Sequence, residues 1–78
     1  MKTIRASETI PADGRGTAAF RITLSDTGNP VPEYVTHFQN VEDMERAGNP
    51  ESGKSWGHYF DNLEEAQQDF KARVFRGY

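Results

Sequence analysis

Apolar and polar residues alternate most cleanly between positions 18 and 25, where Ala18, Phe20, Ile22 and Leu24 interleave with Ala19, Arg21, Thr23 and Ser25. Successive side chains of a strand point to opposite faces, so this spacing predicts a strand with one face in the core and one in water. Residues 2–10 keep the same period, with Ile4, Ala6 and Ile10 on one side. Glu8 interrupts that side, which suits an edge strand or a strand end. Between the two lie Pro11-Ala12-Asp13-Gly14 and Gly16, a turn signal in which Pro presets φ and Gly accepts positive φ. A hairpin is expected. Asp26-Thr27-Gly28-Asn29-Pro30 closes the second strand.

Residues 34–41 are β-branched and aromatic and predict a third strand, with Tyr34, Thr36 and Phe38 on one side and Val35 and His37 on the other. Pro32 limits how early it pairs. Residues 40–54 are expected to be mostly loop, with Asn40 placed to cap a short helical turn over 41–47 that Gly48 ends. A short fourth strand over 55–60 is expected to pair with the third. The last segment predicts a helix. Asp61 or Asn62 caps it, Glu64 or Glu65 stands at capping-box spacing, and Leu63, Ala66, Phe70 and Val74 fall on one stripe. Lys71, Arg73 and Arg76 crowd its last turn, as the helix dipole favours, and Gly77 stops it. The expected fold is α+β: an antiparallel four-stranded sheet, β-β-β-β-α, with the C-terminal amphipathic helix packed on one face.

With 78 residues the chain has room for one hydrophobic core, so residues 1–78 are expected to form a single domain. Only 35% of the residues are hydrophobic, but aromatics reach 12%, and each buries a large area, so a core can be built from few positions. The absence of cysteine excludes disulfides, thiolate metal sites and thiol nucleophiles. Residues 1–10 hold no apolar signal-peptide core and no stretch approaches a membrane span, so a cytoplasmic protein without membrane contact is expected.

The net charge of −3 hides a sharp segregation. Residues 26–69 hold ten acids against only Arg46 and Lys54, whereas both ends of the chain are basic. Glu42, Asp43, Glu45 and Glu51 fall in the 40–54 segment, and Asp61, Glu64, Glu65 and Asp69 in the first half of the helix segment. If that segment folds beside the helix start, these carboxylates form one negative surface, the kind that attracts a basic groove. The plainer reading is solvated loop charge plus dipole matching. Trp56 reads either as core or as an interface anchor, and Tyr59 and Tyr78 are further aromatic anchors.

Catalytic chemistry has little to rest on. His37 and His58 are the only histidines, and paired across strands 3 and 4 they could face one another and hold a divalent metal with Glu42 or Glu51. No ligand spacing such as H-E-x-x-H supports this, and packed strand histidines are the plainer reading. Ser55 lies three residues before His58, a spacing that points to opposite faces of a regular strand. Gly14-Arg15-Gly16 lacks the strand-to-helix context of a phosphate loop. Arg5 and Arg21 could line the outer face of the hairpin, and Tyr34 or Trp56 could stack on bases. The negative net charge and the few basic residues oppose nucleic-acid binding.

Tyr34-Val35-Thr36-His37-Phe38, and Gly57-His58-Tyr59-Phe60 running into Asp61-Asn62-Leu63-Glu64-Glu65-Ala66-Gln67-Gln68-Asp69-Phe70, resemble small uncharacterised proteins carried by phages and other bacterial mobile elements. The resemblance covers roughly the C-terminal half. In size, acidity and lack of catalytic motifs the chain is also similar in type to anti-CRISPR and anti-restriction proteins. That likeness implies a bacterial setting and a non-enzymatic inhibitor that occludes a host nuclease or its nucleic-acid groove. The expected partner is a basic, nucleic-acid-binding host protein, met by Glu42, Asp43, Glu45, Glu51, Trp56, Asp61, Glu64 and Glu65, with no cofactor and no metal. The alternatives are a nucleic-acid module built on Arg5 and Arg21 and, third, a minor metal-dependent enzyme around His37 and His58. Pairing of an edge strand with its twin would give a homodimer.

Overall fold

Strand β2 (Phe20–Asp26) is the spine on which the other elements are laid. In the computed structural model, which describes residues 1–16 and 18–77, it is flanked by β1 (Lys2–Ala6) and β3 (Tyr34–Asn40). Helix α1 (Val41–Ala47) follows β3, then β4 (Lys54–Phe60) and α2 (Leu63–Arg76). The strands form one antiparallel sheet in the order β1-β2-β3-β4, so consecutive strands are always neighbours. The expected α+β sheet with a C-terminal helix is the fold observed.

One sheet face meets α2. Phe20, Ile22 and Leu24 from β2 pack against Ala66 and Phe70, with Ile10, Tyr34, Phe38 and Phe60 around them. Phe20 and Phe38 stack at 4.4 Å between ring centroids, and the Arg5 guanidinium lies over the Phe70 ring at 4.9 Å. Each fully buried apolar side chain of this size contributes about 2 kcal/mol by leaving water. Asn62, not Asp61, caps α2, its side-chain oxygen accepting from Glu64 N at 2.7 Å and Glu65 N at 3.3 Å. Asn40 does the same for α1 through Asp43 N at 3.0 Å. α1 ends at Gly48 and α2 at Gly77, both left-handed, as their positions at the ends of the periodic segments predict.

The boundaries differ from the sequence pattern where local geometry intervenes. Regular pairing of the first strand ends at Ala6, not at residue 10. There the Ser7 hydroxyl takes the place of a ladder carbonyl, accepting from Ile22 N at 2.9 Å, and Ile10 returns only as an isolated bridge to Phe20. A bulge between Thr3 and Arg5 turns Ile4 outward, where half of its surface meets solvent. The second strand begins at Phe20 rather than Ala18, and the fourth includes Lys54. On α2 the stripe is rotated. Leu63 and Val74 sit at its margin, and Arg73 is buried in the position the periodicity assigns to an apolar residue.

Candidate functional site

The carboxylates singled out in the sequence do not form one surface. α1 leaves the sheet after Asn40, whereas α2 starts beyond Phe60, whose partner in the ladder is Tyr34 at the far end of β3. Six residues of strand separate those ends, about 20 Å at the usual rise. Glu42, Asp43 and Glu45 are exposed on α1, with Asp43 in a surface pair to Arg46 at 3.1 Å. Asp61, Glu64 and Glu65 are exposed at the opposite end. They share that end with Asp26, which closes β2, and Glu33, which precedes β3. Desolvation first, then the charges of Glu33 and Asp26, raise the Tyr34 phenol above its ordinary value. Lys2, opposite Asp26 in the ladder, is the basic neighbour there.

Glu51 is turned inward, onto the sheet face away from α2. Thr23, Ser25, Val35, His37 and Gln39 of that face are all buried. Residues 48–53 cross it. The Gln39 amide donates to the carbonyls of Pro50 (2.7 Å) and Ser52 (2.8 Å), and its oxygen accepts from Arg21 Nε at 2.6 Å. Lys54 lies along the same face and donates to Thr3 Oγ1 (2.8 Å), to Ser25 Oγ (2.9 Å) and to Glu51 Oε2. Glu51 Oε1 accepts from Thr3 N at 3.0 Å and Thr3 Oγ1 at 2.9 Å. Desolvation pushes the Glu51 carboxyl up, but the hydrogen bonds from Lys54 and Thr3 outweigh it and hold the group below its ordinary range. Among the described residues, Thr23 Oγ1 and His37 Nδ1 of this face are buried without a hydrogen-bond partner.

The α2 side carries a second polar group. Asp69 Oδ2 accepts from Thr36 Oγ1 at 2.5 Å and lies 3.0 Å from His58 Nδ1. The buried Arg73 guanidinium donates to Thr36 O (3.1 Å), Thr36 Oγ1 (3.3 Å) and Trp56 O (2.8 Å), tying α2 to β3 and β4. Desolvation is the first cause that lowers Arg73 from its ordinary value, with Asp69 opposing it and Arg76 adding to it.

Strand alternation and bulges redistribute the other candidates. His37 and His58 do not face each other, because His58 pairs with Thr36 and shares its α2-side face while His37 points the other way. Among the described residues no group of three His, Asp or Glu side chains could hold a metal. The bulge between Thr36 and Phe38 places Ser55 opposite Phe38 and His58 opposite Thr36, so the two belong to one face, contrary to simple alternation. Arg5 and Arg21 lie on opposite faces, one on Phe70 and the other on Gln39, so the hairpin offers no shared basic surface from them. Trp56 is 67% exposed, with a left-handed backbone (φ 53°) at the bulge and its ring 5.3 Å from Phe38, a rim rather than a core position. Tyr59 is exposed on β4, and Tyr78 lies outside the described residues. A groove of about 480 Å³ runs between the 5–11 segment and α2, lined by Ile10, Pro11, Phe70 and Val74 with Arg5 and Glu8 at its rim.

Sequence reading missed the Thr3–Glu51–Lys54 cluster and the Gln39 anchor. A signal was present: Thr23, Ser25, His37 and Gln39 are polar but carry no full charge, whereas solvated strand faces usually bear Lys and Glu. No protein-family model, curated protein or solved structure matches the chain. No helix among the described residues is long and apolar enough to cross a membrane.

Proposed function

We propose that this chain acts by binding rather than catalysis, as an inhibitor-type protein that presents carboxylates to a basic, nucleic-acid-handling protein of a bacterial host. The observation that carries the reading is the convergence of Asp26, Glu33, Asp61, Glu64 and Glu65, from three separate segments, at one end of the sheet. A local run of acids would follow from helix-dipole matching alone, but Asp26 and Glu33 have no helix to serve. The α1 acids form a second negative end about 20 Å away along the strands. Two such ends suit an elongated basic groove better than a single basic spot. Complementary potentials of this kind speed encounter and select the partner.

The test is a pull-down of the tagged chain from host lysate, run beside two charge-reversed variants. One carries Asp61→Lys, Glu64→Lys and Glu65→Lys, and the other Glu42→Lys and Glu45→Lys. The expected result is retention of a basic nucleic-acid-handling protein that the first variant loses and the second weakens, while circular dichroism shows both folded. Retention unchanged in both variants would defeat the reading. Binding to nucleic acid itself is then checked by mobility shift at low salt.

A further inference from the structure

The segment 48–53 crosses the polar face as a strap fastened at two places. At one, the Gln39 amide holds the Pro50 and Ser52 carbonyls. At the other, Lys54 and Thr3 hold Glu51, with Ser25 beneath. Gln39 pairs with Arg21, and Ser25 with Val35. Between those two rows of the ladder lies the row Thr23–His37, whose Thr23 Oγ1 and His37 Nδ1 are, among the described residues, the buried side-chain polar atoms without a hydrogen bond. We propose that the strap is an acid-released latch, in which a proton taken up by His37 sets a second cation beside Lys54 and unfastens residues 48–53 from the sheet.

The hydroxyl of Thr23 is the neutral acceptor opposite the ring, and no carboxylate among the described residues beside it is free to balance the added charge. All three Lys54 protons are already directed at Thr3 Oγ1, Ser25 Oγ and Glu51 Oε2. The other Glu51 oxygen is taken by the backbone and side chain of Thr3. The charges that act on His37 are mostly cations, Lys54 from β4 and Arg73 from α2, and the Tyr59 ring of β4 stands edge-on to it at 6.5 Å between centroids. Glu51 of the strap is the opposing carboxylate. The ring is also wedged against β4, where a Cβ on Gly57 would come within 3.1 Å of His37 Nε2. Burial first, then Lys54 and Arg73, lower the imidazole to about 4. Lifting the strap admits water to the ring and so relieves burial, the largest cause of its lowered pKa. That gain outweighs the lost attraction of Glu51, and the open form binds the proton more tightly than the closed one. The inference does not depend on the binding role proposed above.

The experiment is amide hydrogen exchange by NMR on the full chain at pH 7 and pH 5, corrected for the intrinsic rate at each pH. At pH 5 Glu51, already lowered from 4.5, stays ionised, so its own titration does not intrude. Reporters are Thr3 N–H, which donates to Glu51, and Asn40 N–H, which donates to the Gly53 carbonyl. Phe20 N–H, bonded to Ile10 O and not to the strap although Phe20 is the ladder partner of Asn40, is the control. The expected result is about a tenfold or larger loss of protection at Thr3 and Asn40, from the linkage of proton uptake to opening. Phe20 should lose much less, and the His37→Gln variant should show no loss at the reporters. Equal protection at both pH values, or the same loss in His37→Gln, would overturn the latch. If His37→Gln does not fold, the imidazole resonances of the native chain decide. The latch requires protection at Thr3 and Asn40 to fall as pH drops from about 6.5 toward the ring's own titration near 4, and titration of the ring without any such loss refutes it.

Discussion

Gly53 and Gly28 share a backbone conformation, φ 82° and 83°, but not their surroundings, and replacing each by Ala separates two kinds of strain. A left-handed conformation costs an L-residue about 1–2 kcal/mol. The reduced freedom of the unfolded chain returns about 0.4–1 kcal/mol. At Gly28 nothing lies within 4 Å of the new methyl group, so that difference, about 1 kcal/mol, is the whole expected cost. At Gly53 the added Cβ falls 2.6 Å from the Asn40 carbonyl oxygen and 3.2 Å from Asp43 Cβ. The 2.6 Å neighbour is backbone and cannot swing aside. Asn40 is also the residue whose N–H donates to Gly53 O at 2.9 Å and whose side chain caps α1. The strap must shift and strain that bond. Overpacking of this kind costs about 1–3 kcal/mol and a weakened hydrogen bond about 1 kcal/mol. Gly53→Ala is therefore expected to cost about 3–5 kcal/mol in all, at least about 2 kcal/mol more than Gly28→Ala. Urea denaturation followed by far-UV circular dichroism reads the difference. At a slope of about 1 kcal/mol per molar for so small a domain, the Gly53→Ala midpoint should fall at least about 2 M below that of Gly28→Ala. Equal midpoints would show that the 48–53 segment does not press on Asn40, and the account of the strap would fail with it.

Other outcomes follow from the same contacts. His37 is lowered from 6.5 to about 4 in the folded chain, so its contribution is fully present above pH 6.5 and is lost as pH falls toward 4. Between pH 8 and pH 5 the unfolding free energy should drop by up to about 2 kcal/mol, and a His37→Gln variant with the same pH slope would contradict this. Phe70→Ala empties the centre of the α2 interface and should cost about 3–5 kcal/mol, enough to leave little folded protein at 37 °C. A thermal midpoint lowered by less than 5 °C would mean that α2 is not anchored there. Lys54→Met leaves Ser25 Oγ buried without its donor and Glu51 without its cation, and is expected to cost about 2 kcal/mol. An unchanged melt would show that the clasp contributes nothing.

The elements themselves were legible because each rests on local chemistry. The period-two run through Phe20, Ile22 and Leu24 produces β2 wherever the chain finds a sheet, and Asn40, Gly48, Asn62 and Gly77 mark the helix ends through bonds made within a few residues. Meander topology follows the common tendency of consecutive strands to pair as neighbours. The acidity of the middle of the chain was equally plain, being a count of residues.

Only the tertiary structure decided which face, and which end, each side chain occupies. Period two carries no information about bulges, and one extra residue at Ile4 or at Trp56–Gly57 reverses every face assignment beyond it. That is why Ser55 and His58 share a face and His37 and His58 do not. The two acidic stretches, near in sequence, were parted because β4 carries the chain the length of the sheet between α1 and α2. Asp26 and Glu33, which no local pattern links to Asp61, were brought beside it by strand pairing. The strap was hidden for the same reason. Thr3 and Lys54 stand 51 positions apart, and their hydrogen bond exists only because β2 and β3 hold β1 and β4 in one sheet, with both side chains on the same face. Local propensity reaches a few residues, whereas burial and polar pairing are properties of the assembled sheet.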